Sequence, residues 1–178
     1  RGKGRFMPFP PVAAVILEPM MGSGGCIPAT PEFLVALRAA TREAGVLLVF
    51  DEVMTSRHSS GGLQKLRGVT PDLTTLGKYM AGGMSFGAFG GRADVMDLFD
   101  GHRPGALVHS GTFNNNVMTM AAGYAGLTKL FTPEAAGALA ERGEAMRARL
   151  NAVCSKEGVA MQFTGVGSLM NAHFLSGE

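Results

Sequence analysis

Two short stretches of this chain are apolar at every position, and a stretch with helical periodicity lies between them. Residues 12–17 read VAAVIL and residues 46–50 read VLLVF. A strand with one solvated face alternates apolar and polar side chains. An unbroken apolar run instead suits a strand covered on both faces, as in a parallel sheet. Between the runs, Thr30-Pro31-Glu32 supplies an N-cap, a proline for the first helical position and an acidic first turn. Phe33, Leu34, Leu37, Ala40 and Ala44 then recur at helical spacing up to Gly45, which is suited to end a helix. Strand, helix and strand across residues 12–53 make a βαβ unit, whose crossover is expected to be right-handed.

The rest of the chain extends this α/β reading to a mostly parallel sheet with flanking helices. Residues 55–68 read as a polar loop, and 71–76 as a short strand ending at Gly77-Lys78. Residues 86–91 (FGAFGG) read as a strand of alternating glycines, 92–99 as a short helix, and 114–131 as a Met- and Ala-rich helical segment. Thr132-Pro133-Glu134 repeats the capping signal and starts an amphipathic helix to about Lys156, with Glu141, Arg142, Glu144, Arg147 and Arg149 as its solvated face. Residues 159–174 read as two short strands joined around Gly165-Val166-Gly167. The pattern changes near Thr132. Residues 1–131 are therefore expected to belong to a large domain, and 132–178 to begin a smaller α+β one.

Charge and cysteine usage narrow the function classes. The net charge is +2 with no Lys/Arg run, so no electrostatic case for nucleic acid exists. The apolar runs are too short to span a bilayer, and no secretory leader pattern precedes the proline-rich turn at residues 8–11. Cys26 and Cys154 form no CxxC or metal spacing and are expected to be reduced thiols in a cytoplasmic protein. His58, His102, His109 and His173 are scattered without ligand spacing, so no metal site is expected. Many of the 26 glycines gather at residues 22–25, 61–62, 82–83 and 87–91, between apolar runs. Such clusters mark tight strand-to-helix turns or backbone brought close to a ligand.

In an open parallel sheet, ligands sit at the carboxyl ends of the strands. Three polar sites fall there: Glu18 after VAAVIL, Asp51-Glu52 after LLVF, and Lys78 after LTTLG. A carboxylate in such a place is often a helix cap or an arginine partner, and a lone lysine is usually a solvated surface group. Lys78 is set apart by its apolar or glycine flanks (Leu76, Gly77, Tyr79, Met80, Gly82, Gly83). Desolvation there would lower the pKa of the amine and free it to attack a carbonyl. Pairing with Asp51 strengthens that reading. Pyridoxal phosphate needs an amine for its aldehyde, a carboxylate to keep its pyridine nitrogen protonated, and donors for its phosphate. His109-Ser110-Gly111-Thr112 is a candidate donor cluster; its plain alternative is an N-cap of the helix near Asn114.

Leu17-Glu18-Pro19, residues 48–55 (LVFDEVMT), 71–78 (PDLTTLGK), 87–91 (GAFGG) and 110–113 (SGTF) occur in an order and spacing that resemble the class III aminotransferases. The likeness runs from about residue 12 to 174. It implies the fold-type I architecture, with pyridoxal 5'-phosphate held by Lys78 as a Schiff base and Lys78 as proton carrier. It further implies that Asp51 pairs with the pyridine nitrogen and Val53 packs on one face of the ring. Thr112 would bind the cofactor phosphate of the neighbouring subunit, which implies a homodimer. The DEVMT and PDLTTLGK strings are also similar to glutamate-1-semialdehyde aminomutase, but that branch continues DEVMT with Gly-Phe-Arg where this chain has Ser56-Arg57. The stretches 82–99 and 109–144 look more like the aromatic β-amino acid (β-phenylalanine) branch. The resemblance thus implies transfer of an amino group from a β-amino acid to a 2-oxo acid, with the aminomutase and a non-catalytic relative as alternatives. Members are more than twice this long, so the chain is expected to be part of a longer protein and inactive by itself.

Overall fold

The computed structural model describes residues 12–175, and the proline-rich turn expected at residues 8–11 lies outside them. In chain order, β1 (Ala14–Leu17) leads through a small hairpin of β2 (Met20–Met21) and β3 (Ile27–Pro28) to α1 (Pro31–Glu43) and β4 (Leu47–Asp51). A 3-10 turn (Thr55–His58), α2 (Gly62–Arg67) and β5 (Leu73–Gly77) follow. A second 3-10 turn (Lys78–Ala81) precedes β6 (Gly87–Gly91), α3 (Ala93–Met96) and α4 (Val117–Ala125). A π turn (Gly126–Leu130) leads to α5 (Pro133–Lys156) and the hairpin of β7 (Met161–Val166) and β8 (Leu169–Phe174). The main sheet has the order β1-β4-β5-β6; the first three strands are parallel and β6 is antiparallel.

The βαβ unit forms as its sequence signals require. Thr30 Oγ1 accepts from Phe33 N at 3.2 Å, Pro31 occupies the first turn, and Gly45 takes a left-handed φ of +66° past the helix end. Leu34 on α1 packs with Leu48 and Phe50 of β4 and with Val69, and all four are buried. Each such apolar side chain stabilises the fold by about 1.5–3 kcal/mol. β4 and β5 are the inner strands. β1 is at the edge, and Ile16 is 63% exposed, so among the described residues its outer face is not covered as the unbroken apolar run predicts. Asp72, at the entry to β5, ties the layers together: it accepts from Leu48 N at 2.7 Å, Arg38 at 2.8 Å and Arg92 at 3.0 Å.

Two expectations need correction, and one element was not expected at all. Residues 55–68 are not a loop, because Glu52 organises them into the first 3-10 turn and α2. The hairpin within the glycine-rich stretch after β1 carries no sequence signal of its own, and it forms by two-residue pairing of Met20 with Pro28 and Met21 with Ile27. On α5, Glu144 and Arg147 are not simply solvated. Glu144 accepts from Gly167 N at 2.6 Å and pairs with Arg147, while Met146 and Val153 are left largely exposed. Asn151 adds a reciprocal pair to Phe163, at 2.7 and 3.0 Å, that docks the β7–β8 hairpin on α5. Among the described residues, no helix is long and apolar enough to cross a membrane.

Candidate active site

Parallel pairing places the ends of β4 and β5 side by side. Asp51 is opposite Thr75, so Asp51 and Lys78 leave neighbouring strands at the same edge of the sheet. Adjacent strands are about 4.8 Å apart, close enough for both side chains to reach one small ligand. Of the strand-end carboxylates, Asp51 is the one that leaves the strand paired with β5 and keeps an oxygen with no hydrogen bond among the described residues. Glu18 Oε2 accepts from Gly22 N at 2.9 Å and closes its own loop. Glu52 is fully buried and accepts from Leu63 N at 2.6 Å, Gln64 N at 2.8 Å and Thr55 Oγ1 at 3.1 Å. It satisfies the first amides of α2, a structural task. Asp51 is half-buried, and one of its oxygens accepts from Val53 N at 3.0 Å. That bond fixes the carboxylate's direction and leaves its second oxygen to accept from a ligand.

Lys78 starts a tight turn in the left-handed region, with φ +52°. A non-glycine residue held there is strained, and such strain gathers at ligand sites. The surroundings hold it in place. A Cβ on Gly77 would stand 3.2 Å from Phe86 O and 3.4 Å from Val53 Cγ1, so the backbone before Lys78 lies directly against Val53. On the other side, Gly82 has φ +59°, and a Cβ there would stand 2.4 Å from Ala122 O of α4. The Tyr79 ring packs on Phe131 with centroids 4.7 Å apart. The expected desolvation of Lys78 is not met among the described residues: Leu76, Gly77, Tyr79 and Met80 are buried or half-buried, but Gly82, Gly83 and Lys78 itself are exposed. Among the described residues it makes no ion pair.

Lys78 and Val53 line one cavity of about 130 Å³ together with Met54, Arg57, Tyr79 and Leu169. These last four were not reached by sequence reasoning. Arg57 and Met54 lie just past the Asp51-Glu52 pair, and Leu169 comes from the far hairpin, with no local signal to join it to Lys78. Beside the cavity, His58 is buried against Gly167, and neither ring nitrogen has a partner. Burial, with help from Arg57 and Arg67 and against Glu144, holds its pKa down at about 4.

Thr112 is elsewhere. It is exposed, like the whole His109–Thr112 stretch, and does not line the Lys78 cavity. Nor does that stretch cap α4: Asn116 Oδ1 does so, accepting from Met118 N at 3.0 Å and Thr119 N at 3.2 Å. The plain N-cap reading of residues 109–112 is therefore wrong. His109 instead meets the rings of Phe89 and Phe99 edge-on.

The donor set is a strand-end amine, a directed carboxylate and a valine packed beside the amine's backbone. The amine and the carboxylate fit two of the requirements of pyridoxal phosphate set out above, while the phosphate donor expected at Thr112 does not join them within this chain. The profile of the family "Aminotransferase class-III" matches residues 9–177. The chain belongs to the class III aminotransferases. These are pyridoxal-phosphate-dependent enzymes, and the sheet with its helices is part of their fold-type I arrangement. The chain is 73% identical over 169 residues to the β-phenylalanine transaminase of Variovorax paradoxus, covering 95% of this chain and 39% of that protein. A solved β-phenylalanine aminotransferase from the same organism superposes with a TM-score of 0.90 at 72% identity, covering 94% of this chain and 39% of that one. A glutamate-1-semialdehyde 2,1-aminomutase of Desulfotalea psychrophila is more distant, at 43% over 164 residues, with coverage of 92% and 38%. A transaminase solved with pyridoxal phosphate bound has a TM-score of 0.86 at 35% identity, with coverage of 93% and 39%. The chain thus spans about two fifths of the length of these class III relatives.

Proposed function

We propose that the full-length protein is an aminotransferase that moves the amino group of an aromatic β-amino acid, of the β-phenylalanine type, to a 2-oxo acid. The observation that carries the reading is that Lys78 and Asp51 follow the carboxyl ends of adjacent parallel strands in a class III chain. The 73% identity to a β-phenylalanine transaminase, against 43% to the aminomutase, supports the substrate class.

Bound here, pyridoxal phosphate supplies an electron-withdrawing ring joined to the substrate nitrogen. Lys78 Nζ would hold the cofactor's aldehyde carbon and, once displaced by substrate nitrogen, carry the proton from the amino-bearing carbon. Asp51 would keep a proton on the pyridine nitrogen with its free oxygen. Val53, set against Gly77, would pack on one ring face. Thr112 would donate its hydroxyl to the phosphate in a second copy of the chain. The homodimer reading draws support from the exposed apolar side chains around Thr112, among them Val108, Phe113 and Val117, each more than three-quarters exposed. Residues 1–131 would form part of the large domain and 132–178 the start of the small one, since β7–β8 is a sheet separate from the main one. A cytoplasmic setting accords with two free cysteines.

The test is the complete protein supplied with β-phenylalanine and 2-oxoglutarate. The keto product should appear, and Lys78→Ala should abolish both turnover and the visible absorption of bound cofactor. Activity confined to glutamate-1-semialdehyde, without an external acceptor, would decide for the aminomutase.

A further inference from the structure

The stretch that carries Thr112 is fixed at both ends and free only between them. At its start, the His109 ring meets Phe89 with centroids 5.4 Å apart and Phe99 at 6.2 Å, its plane at 82° and 87° to theirs. Phe89 and Phe99 pack on each other at 5.4 Å, so the histidine completes a cluster of three rings. Edge-to-face rings at these separations attract beyond what their burial contributes. Phe99 ends the 3-10 turn Asp97–Phe99, and the backbone repeats the tie there, with Leu107 N donating to Leu98 O at 2.7 Å. Phe89 is on β6 opposite Thr75 of β5, and Thr75 is opposite Asp51 of β4. The cluster therefore grips the sheet on the row that holds Asp51. At the other end, Asn114 N donates to Gly111 O at 3.0 Å, and Asn116 caps α4. Ser110, Gly111 and Thr112, between these ties, are exposed.

We infer that His109 is a positioning residue for the Thr112 hydroxyl, acting through the ring cluster that pins the start of its loop to β6. The inference rests on the reading above, in which Thr112 serves the cofactor phosphate of a second copy of the chain. Thr112 is three residues beyond His109, a reach of at most about 11 Å of chain. A hydroxyl on an untethered loop loses conformational freedom when it meets the phosphate, and that loss is subtracted from affinity. A loop held at His109 and again at Asn116 has already given up much of that freedom. His109 need not touch the cofactor for this. Nor does the role need a charge on the imidazole: the contacts are ring edges and faces, which a phenylalanine can also supply. The plain alternative is a ring that only packs. It predicts a loss of stability with no preference for the phosphate.

The test reconstitutes the full-length apoprotein with pyridoxal 5'-phosphate, or with pyridoxal, which lacks the phosphate, and follows the visible absorption of bound cofactor. His109→Ala should weaken the affinity for pyridoxal 5'-phosphate by about 3- to 10-fold, the scale of lost aromatic contacts, and leave that for pyridoxal unchanged. His109→Phe should restore the wild-type affinity. Thr112→Ala should cost about 10- to 100-fold, the scale of a hydrogen bond to a charged group. Adding His109→Ala to Thr112→Ala should cost little more, because the first residue acts through the second. Equal losses for pyridoxal and its phosphate would overturn the assignment, as would additive losses in the double variant. A lowered Tm or a dissociated dimer with cofactor affinity intact would leave His109 a packing residue. Should Thr112→Ala weaken binding while His109→Ala does not, the positioning role falls and the phosphate reading stands. Should Thr112→Ala itself change nothing, the phosphate reading falls and takes the positioning role with it.

Discussion

Replacing Glu52 with Gln should destabilise the protein far more than a change of one atom usually does. The carboxylate is fully buried and takes three hydrogen bonds, from Leu63 N, Gln64 N and Thr55 Oγ1. All three partners are donors, which a carboxylate can serve with its two oxygens. Gln keeps one acceptor oxygen and turns the other into an NH2 that faces a backbone N–H. A hydrogen bond to a charged group contributes about 1.5–3 kcal/mol, and orphaning a buried donor costs about 1–3 kcal/mol. The expected loss is about 3–5 kcal/mol, a large part of the roughly 5–15 kcal/mol that holds a domain together. Urea denaturation of full-length wild type and Glu52→Gln measures it, with the midpoint shifted and the slope unchanged. Because Glu52 stands between Asp51 and Val53, releasing it should also weaken cofactor binding, read from the visible absorption. A stability loss under about 1 kcal/mol would refute the reasoning, since it would mean the three donors find other acceptors.

Two further perturbations probe the same framework. Gly82→Ala adds a Cβ at φ +59° and 2.4 Å from Ala122 O, so the Lys78 turn and α4 must separate; the cost should be about 2–4 kcal/mol, with weaker cofactor binding, and an unchanged Tm would show that the two segments do not press on each other. His58, with its pKa lowered from 6.5 to about 4, stays neutral in the folded protein while the unfolded chain takes up a proton below about 6.5. More protons on the unfolded state mean that stability falls as pH drops through the window from 6.5 to about 4. His58→Gln should flatten that part of the stability–pH curve, and curves of equal slope for the two proteins would remove His58 as the cause.

Much of the fold was legible locally. The Thr30-Pro31-Glu32 and Thr132-Pro133-Glu134 caps start α1 and α5 where expected, and both threonine hydroxyls accept the third amide of their helices. Local pattern failed where a distant group decides. Residues 55–68 look like a polar loop until the buried Glu52 carboxylate gathers their amides. The unbroken apolar run of β1 predicts two covered faces, but an edge position leaves Ile16 open among the described residues. Glu144 reads as surface charge because its partner, Gly167 N, is on another element.

The candidate site divides in the same way. The sequence by itself determined that Lys78 ends a strand among apolar and glycine neighbours and that Asp51 ends another, because strand periodicity and turn residues are local properties of the chain. Only the tertiary structure decided that these two ends lie on adjacent parallel strands, that Glu52 is spent on the amides of α2, and that Arg57 shares a cavity with Lys78. Each of those depends on strand order and on hydrogen-bond partners distant along the chain, which no local pattern encodes.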